Sequence, residues 1–599
     1  MNDVLGKKQG ESVMAQQSDV ERFETLIVGA GPAGLQLGYF LGKAGRSYLI
    51  LERNERPGSF YERFPRHRTL ISINKRFNGY PEKDFNLRHD WNSLISDDDS
   101  LLFTKYSKEL FPHADDLCRY MADFTERHGI QVRFKSQVCK IQRDAETGVF
   151  TVVDTEGRAF SCRRLVLGTG AVKPHVPREI EGIEHALGYE DHDIDPALYE
   201  NKRVAILGRG NSAFEIANHL AGSAAIIHLL VGVPIKHAWQ THYPGDLRAI
   251  NNTILDMYQL KSLHAMIGFR PTKITPRPDG RFDVVMEEDY PHWETPGTGT
   301  TTTTYDYVIR ATGWRFIDED LFDASCRPMT KKEGKYPDLT SSWESTNVPG
   351  LFFIGTAMQA RDRKAASAFI HGFRYNVRTL FNILEERYHG VPLPSEEFSF
   401  VDGEDLETVA SFLVRRFSTV SALFQLFGFL CDVIVVADGE AKLYYELPVD
   451  FVLDDPRFKN AERIFVVTLE YGFNKYPKGA STLDFIHPAD AHDTSCSAYL
   501  HPIFRCYSRG QLLEERHLGE SLVVRYDEVD YKENARNMYK NTVKTILNEQ
   551  CELTDETFSC EPFPPELAGE VFVQWPDDKV REWREKEVRD EMAECRFVV

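Results

Sequence analysis

Cysteine is sparse in this 599-residue chain and never paired at short spacing. The ten cysteines stand at positions 118, 139, 162, 326, 431, 496, 506, 551, 560 and 595, with no C-x-x-C among them. That spacing argues against a disulfide-stapled scaffold and against the paired-thiol relay of a disulfide reductase. A reducing, cytoplasmic setting is the expectation. Metal-ligand patterns are missing too: there is no HExxH, no clustered Cys/His set and no EF-hand loop, so no metal is expected. Positive charge is in deficit, with 71 Lys and Arg against 91 Asp and Glu and a net charge of −20. A phosphate backbone calls for basic surface, which argues against nucleic acid as the main partner. The first 23 residues lack the apolar core of a secretory signal and read as a disordered leader. Residues 417–436 have the length of a membrane span but carry Gln425 and Asp432, so they read as a buried helix running into a strand.

What the chain does have is a strand–turn–helix–strand signature near its start. An apolar run (residues 25–28) meets Gly29-Ala-Gly31-Pro32-Ala33-Gly34, then a helical stretch, then a second apolar run closing on Glu52 and Arg53. Each glycine has a task. Gly29 permits the tight turn, Gly31 lets backbone approach a pyrophosphate, and Gly34 lets helix and strand pack closely. The helix start offers free N–H groups and a positive dipole end to that pyrophosphate. Glu52, 18 residues beyond Gly34, is placed to accept hydrogen bonds from ribose hydroxyls. The N-terminal location favours FAD.

Residues 203–231 repeat the design, with the turn Gly208-Arg209-Gly210-Asn211-Ser212-Ala213. No acid closes the second strand here; it runs into Gly232-Val-Pro-Ile-Lys236-His237. A carboxylate there would repel a ribose 2′-phosphate, whereas a cation would accept it. NADPH is therefore expected over NADH, with Arg209, Lys236 and His237 as the available cations.

Further strands end in small residues: residues 165–170 (LVLGTG), 308–314 (VIRATGW, with Thr312 and Gly313) and 348–356 (VPGLFFIGT, ending in Gly355 and Thr356). Such ends suit chain crossings beside bound cofactors. The fold expected is α/β: two nested Rossmann-like dinucleotide-binding domains, for FAD and NADPH, followed by a C-terminal α+β extension. The FAD domain is discontinuous, residues 24–185 and 315–395. The NADPH domain takes 186–314 and the extension 396–599. Residues 296–304 (PGTGTTTTT) read as a flexible hairpin tip, and residues 580–594 as a charged terminal helix. The extension has no nucleotide signature. It is left open to cover a substrate pocket, form a homodimer interface or bind a partner.

Further motifs stand at residues 69–75 (TLISINK), 86–94 (NLRHDWNSL), 112–120 (PHADDLCRY), 208–215 (GRGNSAFE), 239–251 (WQTHYPGDLRAIN), 351–356 (LFFIGT), 369–375 (FIHGFRY), 423–435 (LFQLFGFLCDVIV) and 467–472 (VTLEYG). Together they resemble the flavin-containing monooxygenase-like superfamily and, within it, the FAD-dependent oxidoreductase domain-containing family. The typical member is luminal, with a signal peptide and a retention tail. This chain begins without the first and ends in CRFVV, so a cytoplasmic relative in specialised metabolism is the expectation.

The resemblance implies chemistry. A monooxygenase needs NADPH, a dry pocket for a C4a-hydroperoxyflavin and hydrogen-bond donors around it. It implies that Gly355 lies near the flavin's ribityl–phosphate part. It also implies that Asn74, or its neighbour Asn78, aims an amide at the flavin's reactive edge. Gly188-Tyr-Glu-Asp-His192 matches part of an oxygenase motif whose aromatic ends are here Ala186 and Pro196, which makes His192 a candidate catalytic group. Residues 88–91 (RHDW), Trp239, His242, Tyr243, Asp246 and residues 361–364 (RDRK) are polar clusters of open role. The expected partners are molecular oxygen and a small soft nucleophile, with N-hydroxylation of an amine ahead of sulfur or ketone oxidation. The alternatives are electron transfer to a thiol, quinone or protein without oxygen insertion, and a redox-sensing, partner-binding flavoprotein.

Overall fold

In a computed structural model, the protein is described over residues 20–232, 248–251, 263–290, 297–362, 365–399, 404–437, 440–471, 495, 499–519, 521, 524–527, 540–541 and 543–548. Lys236, His237, Trp239, His242, Tyr243, Asp246, Arg363, Lys364, the leader up to residue 19 and the expected helix at 580–594 lie outside these residues. Internal contacts divide the chain into two units. The first is residues 1–395, 421–430 and 444–454; the second is residues 396–420, 431–443 and 455–599.

The first unit is built on two separate, mainly parallel sheets. In the first, the order is Val132–Arg133, Tyr48–Leu51, Glu21–Val28, Ala159–Leu167, Phe150–Asp154, Val138–Arg143. The late strand Leu351–Phe353 also pairs, in parallel, with Ala159–Leu167. Leu26, Ile27, Ile50, Leu165 and Val166 are fully buried, as unbroken apolar runs must be in a parallel sheet covered on both faces. Helix α1 (Pro32–Lys43) packs on this sheet, and α3 (Ile370–His389), much later in the chain, packs against α1. The second sheet runs Ala265–Ile267, Ile226–Leu230, Arg203–Leu207, Tyr307–Arg310, Leu187–Gly188, all parallel. Its nucleotide helix is α2 (Asn211–Leu220). The two nested α/β layers of the sequence reading are thus present.

Two details differ from expectation. Residues 296–304 were expected as a hairpin tip, but Gly297–Tyr305 is a nine-residue strand, paired with Phe282–Tyr290 so that Val284 faces Thr303. Successive β-branched threonines favour the extended ladder over a turn. Residues 348–356 hold a strand of only three residues, Leu351–Phe353. Gly350 takes φ +84° and donates to Glu344 Oε1 at 2.7 Å, so the first residues form a turn. After Ile354 the chain tightens into a 3₁₀ segment, Gly355–Ala360.

The second unit carries an antiparallel run of strands, Leu430–Ala437, Arg463–Glu470, His501–Ser508 and Gln511–His517, in that order. Asp432 is 1% exposed and ion-paired with Arg416 of the helix Glu404–Thr419. That pair accounts for an acid within the apolar stretch 417–436, which runs helix into strand as expected. Among the described residues, no helix is long and apolar enough to cross a membrane.

Candidate functional site

The first glycine turn is shaped by close backbone approach. Gly29 adopts φ +106°, and a Cβ there would stand 2.6 Å from the Gly168 carbonyl oxygen; one on Gly34 would stand 2.0 Å from the Gly29 oxygen. Neither position has room for a side chain. Gly31 is different: a Cβ on it would meet nothing within 4 Å, and no side chain caps α1, which starts at Pro32. An uncapped helix start beside open space is what a pyrophosphate requires. Ala33 packs under Gly355, where an added Cβ would come within 3.0 Å of it. The neighbouring Thr356 Oγ1 is buried with no hydrogen-bond partner among the described residues. The cradle and this orphaned hydroxyl fit the phosphate-bearing half of FAD.

Glu52 closes the same site. Its Oε2 accepts the Ala30 N–H at 2.8 Å, while Oε1 accepts Asn54 N (3.0 Å), Asn54 Nδ2 (3.1 Å) and Ser59 Oγ (3.2 Å). Held in this way at 6% exposure, the carboxylate is preorganised, and Oε2 keeps acceptor capacity for a ribose hydroxyl. Asn54 and Ser59 escaped the sequence reading, although both stand within seven residues of Glu52. Arg53 is exposed.

The second turn repeats the geometry. Gly208 takes φ +143°, with a virtual Cβ 2.3 Å from the Ala311 oxygen, and Gly210 opens on free space at the uncapped start of α2. Arg209 and Ser212 are half-buried. Asn211 does not face outward: its Oδ1 accepts Arg248 N and Asn251 Nδ2, both at 2.9 Å. Thr312 gives its hydroxyl to the His175 oxygen at 2.6 Å, and His175 N donates to the Gly313 oxygen at 2.8 Å. These two residues serve the chain crossing.

The three candidate catalytic residues each sit in a defined hydrogen-bond setting. Asn74 is 2% exposed, and its amide nitrogen donates to the carbonyls of Ser107 (2.9 Å) and Glu109 (3.2 Å). Carbonyls only accept, so the amide orientation is fixed and the group left over is the acceptor Oδ1. The donors that the resemblance implies are thus engaged by the Ser107 and Glu109 carbonyls, and Oδ1 is buried with no hydrogen-bond partner among the described residues. Asn78 accepts the Tyr80 N–H at 3.1 Å in a local turn of its own loop. His192 is 1% exposed; its N–H donates to the Gly188 oxygen and its Nδ1 lies 3.0 Å from the Tyr189 oxygen. Burial lowers its pKa, and its Nε2 is buried with no hydrogen-bond partner among the described residues.

That turn is fastened to α2. Tyr189 donates its hydroxyl to Glu215 Oε2 at 2.8 Å and accepts the Arg66 N–H at 3.2 Å; His67 N donates to Glu215 Oε1 at 2.8 Å. His67 stacks on His219 with ring centroids 3.9 Å apart, and burial pushes its pKa down to about 3. Burial raises the pKa of Glu215.

A second network surrounds residues 87–93. Asp90 accepts Asn92 N, Ser93 N and the Ser93 hydroxyl. Arg374, on α3 and fully buried, donates to the carbonyls of Asp90 (3.0 Å), Ser93 (2.6 Å) and Leu87 (2.6 Å). Residues 88–91 are therefore an internal, hydrogen-bonded loop. Arg361 of the 361–364 cluster pairs with Asp450, and Asp362 accepts from Ser367. Arg374 was hidden in the motif FIHGFRY, because sequence cannot show which carbonyls converge on a guanidinium.

Two nested α/β layers, each opening on a glycine-turn helix, define the class of two-dinucleotide flavoprotein oxidoreductases. Residues 26–355 match the family model described as pyridine nucleotide-disulphide oxidoreductase. The chain is 38% identical over 510 residues to FAD-dependent oxidoreductase domain-containing protein 2 of Mus musculus, covering 80% of this chain and 75% of that protein. It thus belongs to the pyridine nucleotide-disulphide oxidoreductase family and, within it, to the FAD-dependent oxidoreductase domain-containing group. It is also 26% identical over 217 residues to a probable indole-3-pyruvate monooxygenase of Arabidopsis thaliana, 34% of this chain and 46% of that one. A solved flavin-containing monooxygenase from Stenotrophomonas maltophilia aligns with a TM-score of 0.45 at 19% identity, over 61% of this chain and 99% of that one.

Proposed function

We propose that this protein is an NADPH-dependent flavin monooxygenase that inserts oxygen into a small soft nucleophile, an amine ahead of a sulfur or a ketone. The observation that carries the reading is the pair of uncapped helix starts at Gly31 and Gly210, the second in a strand–helix–strand unit without a terminal acid. A carboxylate at that strand end would oppose a 2′-phosphate. Residues 24–185 and 315–395 would form the FAD domain, residues 186–314 the NADPH domain and residues 396–599 the extension.

The residues would divide the work as follows. The Gly31 turn and Glu52 hold the adenosine and pyrophosphate of FAD, with Thr356 offering its orphaned hydroxyl to the same ligand. Arg209, Ser212 and Lys236 receive NADPH. Asn74 Oδ1 is an acceptor in the pocket wall, able to hold a proton donor in place. Bound FAD would supply two-electron transfer from NADPH and activation of oxygen. Kinship with a protein named as a monooxygenase supports this reading.

The test is to reduce the purified flavoprotein anaerobically with NADPH or NADH, then add oxygen with and without a panel of amines, sulfides and ketones. The reading expects faster reduction by NADPH, and peroxide release falling well below NADPH consumed when one of these substrates is oxygenated. Peroxide equal to NADPH consumed with every substrate class would instead favour electron transfer without oxygen insertion.

A further inference from the structure

We propose that Arg374 is the positioning residue of the flavin pocket: it fixes the 87–93 loop, and through it Asn74 and Trp91, and so governs how tightly NADPH consumption is coupled to oxygen insertion. The proposal rests on the monooxygenase reading.

Arg374 is 0% exposed, yet among the described residues no carboxylate lies within ion-pair distance of it. A guanidinium taken out of water without a counter-ion is costly. Here it is tolerated because the carbonyl oxygens of Leu87, Asp90 and Ser93 converge on its two terminal nitrogens. Three carbonyls aimed at one point dictate the path of the loop. Asp90 completes the same fold from inside by taking the N–H groups of Asn92 and Ser93.

The opposite side of the loop then binds the segment that carries Asn74. Trp91 N donates to the Ile73 oxygen at 3.2 Å, Lys75 N to the His89 oxygen at 3.2 Å, and Asn92 Nδ2 to the oxygens of Ser72 and Ile73, both at 3.3 Å. A further tie anchors the region to the first nucleotide helix. Gln36 of α1 accepts Ile95 N at 2.7 Å and donates to the Ile95 oxygen at 2.9 Å. The loop is thereby bracketed by α1, whose start carries the glycine turn, and by Arg374 of α3. Asn74 is too deeply engaged to adjust by itself, so its placement follows that of the loop.

Lysine offers one compact ammonium where three separated carbonyls need a planar fork. The variants Arg374→Lys and Arg374→Gln in the full chain would be compared with Arg378→Lys. Arg378 is one turn further along α3 and pairs with Glu446 instead. The first readout needs no turnover: hydrogen exchange of peptides covering residues 72–75 and 86–95, together with the visible circular dichroism of bound flavin. Arg374→Lys is expected to exchange roughly tenfold faster in those peptides only, with a changed flavin signal, and Arg378→Lys to match wild type there. The second readout is peroxide released per NADPH, expected to rise several-fold in Arg374→Lys and in Arg374→Gln. Wild-type exchange and coupling in both Arg374 variants would overturn the proposal. So would loosening spread evenly over the sheet strands, which a purely structural role would give. If wild type itself returns all its NADPH as peroxide, the monooxygenase reading fails, and the exchange readout still decides the positioning role.

Discussion

The carboxylate of Glu52 accepts the backbone N–H of Ala30 at 2.8 Å, joining the end of one strand to the glycine turn 22 residues before it. The bond fixes the carboxylate before any ligand arrives. Glu52→Ala is expected to weaken FAD binding roughly 10- to 100-fold, from the 1.5–3 kcal/mol of hydrogen bonds to a charged group. Flavin fluorescence quenching on titration of apoprotein measures it.

Gly31 and Gly34 are expected to fail in different ways. Gly31→Ala meets no protein atom within 4 Å, so the apoprotein should unfold at the wild-type temperature while FAD affinity drops roughly tenfold or more. Gly34→Ala drives a methyl into the Gly29 carbonyl and should destabilise the fold by more than about 2 kcal/mol. Calorimetry of the two apoproteins side by side separates these outcomes.

Acid should loosen the second unit through His501. Its Nδ1 faces the Tyr499 carbonyl at 2.9 Å, so that nitrogen carries the hydrogen, and Nε2 lies 2.8 Å from His517 Nδ1. Burial pushes the His501 pKa down to about 4, below the ordinary 6.5 of an unfolded chain. The neutral ring therefore stabilises the fold above about pH 6.5, and that contribution, roughly 3 kcal/mol, is lost as pH falls toward 4. Urea unfolding across this range should show the loss, and His501→Gln should flatten the curve.

Tyr189→Phe removes the hydroxyl that Glu215 accepts and that takes the Arg66 N–H. The expected cost is about 1–3 kcal/mol of stability and, on the proposal that this layer receives NADPH, a several-fold rise in KM for it with little change in kcat. Steady-state kinetics and thermal unfolding of the one variant check both.

Much of the fold could be read from the sequence because its decisive contacts are local. Gly29, Gly31 and Gly34 act on one another within six residues, and apolar runs such as residues 25–28 report burial on both sheet faces. The roles of Asn74 and Arg374 could not be read that way. The donors of Asn74 are consumed by carbonyls 33 and 35 residues on, and Arg374 collects carbonyls more than 280 residues earlier. No local pattern encodes such partners. The threonine run at residues 300–304 misled for a related reason: its glycines suggested a turn, and only the pairing with Phe282–Tyr290 shows a ladder.

The strand Leu351–Phe353 lies beside Ala159–Leu167, although the chain builds a whole second nucleotide layer between them. A ribosome adding on the order of 5–20 residues per second needs roughly ten to forty seconds to pass from one to the other. Through that interval the nascent chain leaves the edge of Ala159–Leu167 that Leu351–Phe353 will take, at residues 165–167, without its partner strand. An unpaired strand edge is a template for another chain, so the growing protein carries an open pairing site through the middle of its own synthesis.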